Sequence, residues 1–333
     1  MLRKLTLEIE DGKAIVNGLV IEIENINLIK AFKPGANGIV FQAHEYPLDR
    51  PVAVKVWLPK KGDHRDKDEQ ALAEASKLAK LGHPNIVTIF RIGQLDNGLF
   101  YIIMELLPGE TLKIFLKNRP ELGIRFDLWY HIFNTLIYAH SKDVYHGDLH
   151  DGNIIINEGQ PKLIDFGTSI FAKKKGGNPL IRESKNILNI VKRIFPEFDM
   201  LLAQQLNLSE IRPEIILQIS DAIVRINWAL FELSGAIRNN DNYTIRGQLF
   251  NICTEIQNNP FFKPEHIIKL LREIHINEIY VGYFLDILLS CVKAEIEGKN
   301  HSSINPDSET PIGDKIIICN ELLAKLRTII LSF

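Results

Sequence analysis

The first hundred residues read mainly as strand runs, the opening ones with alternating apolar and polar residues, whereas apolar residues recur at every third or fourth position from Thr111 onward. This switch constrains the fold more than any other feature of the sequence. Side chains alternate across a strand, whereas they return to one face of a helix about every 3.6 residues. LTLEIE, the dipeptide Asp11-Gly12 and KAIVNGLVIEIE read as a hairpin. LIKAF, GIVFQAHEY and PVAVKVWL follow as three β-rich runs broken by glycine and proline. Residues 66–81 take helical spacing, with Ala71, Leu72, Ala75, Leu78 and Ala79 on one stripe, until Gly82-His83-Pro84 stops it. IVTIFRIGQL and LFYIIMEL return to strand around Asn97-Gly98.

Helical spacing begins with TLKIFLKN and continues over residues 126–141, interrupted by two short strands, IIIN and PKLID, near 154–165. After Glu183 almost everything reads as helix, apart from a polar loop at residues 300–314 that carries two prolines. The resulting expectation is an α+β chain, with antiparallel sheet first and helices after a hinge near residues 105–109. Composition adds exclusions. Charges of 39 basic and 41 acidic residues nearly cancel, so no global positive field points to nucleic acid or a membrane surface. Three widely spaced cysteines form neither a metal pattern nor a disulfide framework. With no signal-like N-terminus and no apolar run of about 20 residues, a cytoplasmic location is expected.

Chemistry-bearing residues fall at the edges of these elements. Lys33-Pro34-Gly35-Ala36-Asn37-Gly38 lies between two expected strands, where glycines let peptide N–H groups approach phosphate oxygens. An ordinary hairpin turn has the same composition. Lys55 sits inside the strand Val52-Ala53-Val54-Lys55, facing either solvent or a carboxylate such as Glu74. Asp148, Asn153 and Asp165 stand beside apolar strands, within Tyr145-His146-Gly147-Asp148-Leu149-His150-Asp151-Gly152-Asn153 and Asp165-Phe166-Gly167. One carboxylate there can orient a hydroxyl, while an amide–carboxylate pair can hold Mg²⁺ through oxygen. Turn formation alone would also use such residues. His140 and His146 lack a paired carboxylate at metal-ligand spacing and read as structural.

In this order the motifs resemble the protein-kinase-like superfamily over about residues 28–195. The resemblance implies a two-lobed fold, with an antiparallel-sheet N-lobe at 1–107 and a mainly helical C-lobe at 108–196. Beyond the span of the resemblance, a helical region at 197–333 is expected to complete or extend that C-lobe, to dock a protein partner, or to cover the acceptor site. The resemblance also implies ATP and Mg²⁺ as cofactors. Gly35, Ala36, Asn37 and Gly38 would cover the phosphates, Lys55 would hold them, and Glu74 would be the helix partner of Lys55. Met104 falls at the gatekeeper, the backbones of Glu105 and Leu107 at the adenine edge, and Val40, Ala53 and Ile155 about the ring. Asp148 matches the catalytic base, and Asn153 and Asp165 match the metal ligands.

The departures carry information too. Lys33 replaces the first loop glycine, and Gly147 replaces the arginine that grips a phosphorylated activation loop, so loop phosphorylation is not expected to be the switch. His150 replaces a lysine and either contacts the transferred phosphate or packs beside Asp148. The HGDLHxGN pattern and the absence of an APE resemble small-molecule kinases, whereas Asp165-Phe166-Gly167 and His83-Pro84-Asn85 lean toward protein kinases. The leading expectation is therefore transfer to Ser/Thr hydroxyls of a protein. A small-molecule alcohol is the alternative acceptor, and a pseudokinase scaffold is the third reading.

Overall fold

A computed structural model describes residues 6–32, 38–58, 81–166, 179–197, 211–298 and 310–331. The chain divides into two compact units, Met1–Asn186 and Ile187–Phe333. The first opens with a three-stranded antiparallel meander of β1 (Leu7–Glu10), β2 (Lys13–Val16) and β3 (Leu19–Ile21). The expected hairpin thus gains a third strand, because Asn17-Gly18 supplies a second tight turn with both residues at positive φ. A five-stranded antiparallel sheet follows, built from β4 (Ile26–Ala31), β5 (Ile39–Glu45), β6 (Arg50–Val56), β7 (Ile89–Gln94) and β8 (Phe100–Glu105), in the order β4-β5-β6-β8-β7.

Register divides that sheet into two faces. Ile39, Phe41, Ala43, Val52, Val54, Val56 and Ile103 lie in one core with Ala14, Val16 and Ile21, so the N-terminal meander covers this face. Val40, Lys55 and Ile102 are cross-strand partners, as are Gln42, Ala53 and Met104, which assigns these residues to the opposite face. A slip of one residue in register would exchange the two sets, and the buried face specifies against it.

A second small sheet, ordered β11-β10-β9, joins β9 (Glu110–Thr111), β10 (Ile154–Asn157) and β11 (Gln160–Leu163). The helix expected from Thr111 shrinks to one turn, α1 (Leu112–Phe115), followed by a 3-10 turn at Leu116–Asn118. Its first residue is taken by β9, since Thr111 pairs with Ile155 of β10. The long helix α2 (Leu122–His140) buries Leu128, Trp129, Ile132 and Leu136. Helix α3 (Pro179–Ile194) begins four residues before Glu183, after which the sequence reads almost entirely as helix.

The second unit is all helix among its described residues. It continues from α3 through α4 (Pro213–Arg238), α5 (Asn242–Asn258), α6 (Pro264–Glu273), α7 (Glu278–Glu297) and α8 (Ile312–Leu331). The loop expected to reach residue 314 ends sooner. Pro311 cannot continue a preceding helix but suits the start of one, and its carbonyl accepts the Lys315 N–H at 3.1 Å. Helices α4 and α5, α5 and α7, and α7 and α8 pack pairwise over Ile216, Leu233, Leu249, Ile256, Phe284 and Leu288. Burial pushes the Cys291 thiol up to about 11 and Cys319 to about 12, and raises Cys253 well above the ordinary range, so all three stay protonated at neutral pH. No helix among the described residues is long and apolar enough to cross a membrane.

One charged pair lies inside this apolar unit. Lys315 Nζ donates to Asp286 Oδ1 at 2.5 Å, and both side chains are under a tenth exposed. Removing the Asp286 carboxylate takes an ion-pair partner from an ammonium held in a low dielectric. Asp286→Ala is therefore expected to cost roughly 3–5 kcal/mol in chemical denaturation, and Asp286→Ala with Lys315→Met to recover much of that loss. Equal stability of Asp286→Ala and wild type would contradict the role given to this pair.

Candidate active site

The segment 145–153 takes its shape from a carboxylate that is distant in sequence. Glu183 on α3 is fully buried, and its two oxygens accept from the His146 N–H at 3.1 Å and the Gly147 N–H at 2.8 Å. His140 Nε2, at the end of α2, lies 3.3 Å from Glu183 Oε1. Two successive peptide N–H groups converge on one carboxylate because Gly147 adopts φ +76°, which a side chain would resist. Gly147 therefore does more than replace an arginine. Its backbone conformation turns the chain from His146 toward Asp148.

His146 is itself fully buried and joins this segment to the next. Its Nε2–H donates to the Ile164 carbonyl at 3.0 Å, its Nδ1 faces the Asp148 N–H at 3.4 Å, and its ring stacks at 4.6 Å on Phe166. One imidazole thus sets the residues flanking both Asp148 and Asp165. Burial lowers its pKa below the usual histidine range, against the opposing effect of Glu183, Asp165, the Ile164 hydrogen bond and Asp148. For Glu183, burial raises the carboxyl pKa, but the His140 hydrogen bond, the His146 charge and the Gly147 N–H outweigh it and leave the pKa lowered.

Five of the expected site residues meet in two groups. Lys55, 8% exposed on β6, ion-pairs with Asp165, whose φ of +61° places its backbone in the left-handed region. Such a backbone at a non-glycine residue is a local strain common at functional positions. Asp148 gathers its own group: Asn153 Nδ2 donates to the Asp148 carbonyl at 3.0 Å, and His150 Nε2 stands 3.9 Å from Asp148 Oδ2. His150 Nδ1 accepts the Gly152 N–H at 3.0 Å, so in the neutral ring the proton sits on Nε2, facing Asp148.

The remaining expectations are placed less completely. Glu74, Gly35, Ala36, Asn37, Lys33 and the helix at 66–80 lie outside the described residues. Lys55 is accordingly seen here with Asp165 as its carboxylate partner. Gly38 is described, and a Cβ at this position would collide with the Val56 carbonyl oxygen, so the β5–β6 approach itself demands glycine. Val40, Ala53, Lys55 and Met104 share one face of the sheet. Ile155, partly exposed between buried Ile154 and Ile156, belongs to the β9–β11 sheet. Strand β8 ends at Glu105, leaving Leu107 in the connection to β9.

Glu105 is also a clamp. Its carboxylate binds Lys162 of β11 at 2.6 and 2.8 Å and accepts the Thr88 N–H at 2.7 Å. Beside it, Asn85 Nδ2 donates to the Pro161 carbonyl at 2.8 Å, and the backbones of Asn85 and Val87 bracket Leu163. These bonds tie the end of the five-stranded sheet to β11 and hence to Asp165.

Two residues at this site escape motif reading, Arg182 and Glu183. Arg182 Nη2 donates to Asp148 Oδ1 at 2.8 Å. The available signal is periodicity, since Glu183 occupies the stripe of Ile187, Ile190, Val191 and Ile194, where a lone carboxylate must have buried donors.

The donor set suits a hard cation. Asn153 and Asp165 offer oxygen ligands, and among the described residues no cluster of three or more His, Cys, Asp or Glu side chains could hold a metal alone. Such a pair needs phosphate oxygens and water to complete the shell, as Mg²⁺ in nucleotide sites does.

Residues 30–185 match the family described as Protein kinase domain. The chain is 27% identical over 173 residues to the serine/threonine-protein kinase PrkC of Bacillus subtilis, covering 51% of this chain and 26% of that protein. It is 33% identical over 170 residues to the serine/threonine-protein kinase PknA of Mycobacterium tuberculosis, covering 49% of this chain and 38% of PknA. Against PknK of the same organism it is 34% identical over 142 residues, covering 41% and 13%. The matches thus span between 13% and 38% of these relatives' lengths. A crystal structure of a PknI kinase-domain mutant from Mycobacterium tuberculosis aligns with TM-score 0.47 and 18% identity, over 66% of this chain and 90% of that one.

The pH dependence of the buried cluster follows from its signs. Because the folded state holds His146 neutral, the unfolded chain binds more protons once the pH falls below about 6.5, and stability declines on acidification. The lowered Glu183 pKa removes further stability below the ordinary carboxyl range, near pH 4.5. Melting midpoints are expected to fall between pH 7 and pH 5, and His146→Gln to flatten that decline. An equally steep decline in the variant would refute the assignment.

Proposed function

Residues 30–185 belong to the protein-kinase-like superfamily, and from that premise we propose that the chain is an ATP- and Mg²⁺-dependent phosphotransferase acting on Ser/Thr hydroxyls of a protein. The observation that carries the reading is the joint placement of Asp148, Asn153 and Asp165 by one buried network through Glu183 and His146. Chemistry of this kind asks the protein mainly for positioning and charge stabilisation.

ATP supplies the phosphoryl group, and Mg²⁺ when bound neutralises phosphate charge. Asn153 and Asp165 would hold the metal, and Lys55 would exchange part of its pairing with Asp165 for phosphate oxygens. Val40, Ala53 and Met104 give the sheet face its apolar contact for a planar base, with Ile155 on the other sheet. Asp148 orients the acceptor hydroxyl and receives its proton.

The acceptor class is the finer part of the proposal. Its support is the likeness to serine/threonine-protein kinases together with the Asp165-Phe166-Gly167 motif. A small alcohol is favoured by one observation, the span of only twelve residues between Phe166 and α3. Incubation with labelled ATP and Mg²⁺ tests both. Wild type is expected to label itself or a protein, and Asp148→Ala to lose at least about 100-fold in rate. Label passing only to small alcohols would select the second acceptor, and equal inactivity of wild type and Asp148→Ala would refute phosphotransfer.

Regulation is a separate matter. With Gly147 engaged to Glu183 through its backbone, no arginine stands at this position to grip a phosphorylated loop. Alanine at both Thr168 and Ser169 is accordingly expected to leave the rate within about twofold. A complete loss would show loop phosphorylation to be required.

A further inference from the structure

We propose that Arg182 is a catalytic cation of this site, which holds the Asp148 carboxylate and contacts the phosphoryl group during transfer. The inference rests on the phosphotransferase reading.

Three observations carry it. First, the guanidinium engages the residue assigned to orient the acceptor, with Nη2 at 2.8 Å from Asp148 Oδ1. Second, its backbone position is set by the adjacent residue. Glu183 is buried and bonded to the N–H groups of His146 and Gly147, two and one residues before Asp148, so the start of α3 has a fixed offset from the acceptor carboxylate. Third, the pair is half open to solvent, with side chains 42% and 33% exposed. An ion pair so exposed contributes at most about 1 kcal/mol to folding, too little for stability to be a sufficient explanation of its placement.

The chemistry completes the argument. An acceptor oxygen bonded to Asp148 is the atom that forms the new O–P bond, so the phosphoryl oxygens must pass within roughly 5 Å of that carboxylate. Guanidinium already in hydrogen-bond contact with the carboxylate lies within reach of them. Arginine has five N–H donors in a planar fork and does not deprotonate, so it can keep Asp148 and also engage phosphoryl oxygen. Among the described residues, Lys55 is paired with Asp165. His150, held by the Gly152 N–H, stands at 3.9 Å from the other Asp148 oxygen. In the balanced step, the acceptor O–H proton passes to Asp148, the O–P bond forms, and the bond from the γ-phosphorus to the bridging oxygen breaks. ADP departs with that electron pair. Arg182 forms no covalent bond and stays charged throughout.

The test uses the full chain with Arg182→Gln and Arg182→Lys, each checked by thermal melting against wild type. Arg182→Gln is expected to lower kcat about 100-fold with KM for ATP within about twofold, and Arg182→Lys to retain part of the rate. Independently of turnover, ADP should bind wild type and Arg182→Gln alike, whereas ADP with aluminium fluoride, which mimics the group in transfer, should bind the variant at least about tenfold more weakly. Unchanged kcat, or equal affinity for ADP with aluminium fluoride, would overturn the proposal, as would a faster Arg182→Gln, which would show Arg182 to block Asp148. If wild type binds ADP but transfers nothing, the aluminium fluoride comparison decides alone. If Arg182→Gln melts far below wild type, Arg182→Lys carries both comparisons. A wild type that binds no ADP would instead overturn the phosphotransferase reading itself, and this inference with it.

Discussion

A buried carboxylate with no solvent to satisfy it must find donors, and the donors Glu183 finds are the peptide N–H groups that turn the chain into Asp148. Leaving even one such group unpaired in the interior costs about 1–3 kcal/mol, so the carboxylate and the loop hold one another in place. The arrangement propagates. With His146 fixed by its own N–H, its imidazole reaches Ile164 and Phe166, on either side of Asp165. Asp165 in turn takes Lys55 from β6. Four residues spread from 55 to 183 in the sequence are thereby joined through one short chain of polar contacts.

A parallel set of contacts supports the five-stranded sheet. Glu105 and Asn85 fasten its end to β11, while the N-terminal meander seals its far face. The apolar side of the sheet packs on the N-terminal meander, and the opposite side bears Lys55, Ala53 and Met104. Alternation along β5, β6 and β8 achieves both with the same strands.

Legibility varied with the range of the contacts. Strands β4 to β8 were readable because each is a β-rich run of six or seven residues set off by turn signals or glycine and proline. The third strand of the meander was not, since Asn17-Gly18 falls inside a run that also scans as one continuous strand. The helix expected from Thr111 lost its first residue to β9, because pairing with Ile155, forty-odd residues away, outweighed a local helical period. Asp148, Asn153 and Asp165 were legible as motif positions. Arg182 and Glu183 were not, because their partners lie 34 to 37 residues earlier and no short pattern joins them.

The sequence by itself determined the α+β division, the order of the strand-rich and helical parts, and the residue types available for phosphate chemistry. Periodicity and turn chemistry are local, so one chain displays them without an alignment. Only the tertiary structure decided which groups face one another. It paired Lys55 with Asp165, set Arg182 on Asp148 and closed Glu183 over His146 and Gly147. Burial and hydrogen-bond satisfaction select such pairs, and both are properties of the packed chain rather than of any segment within it.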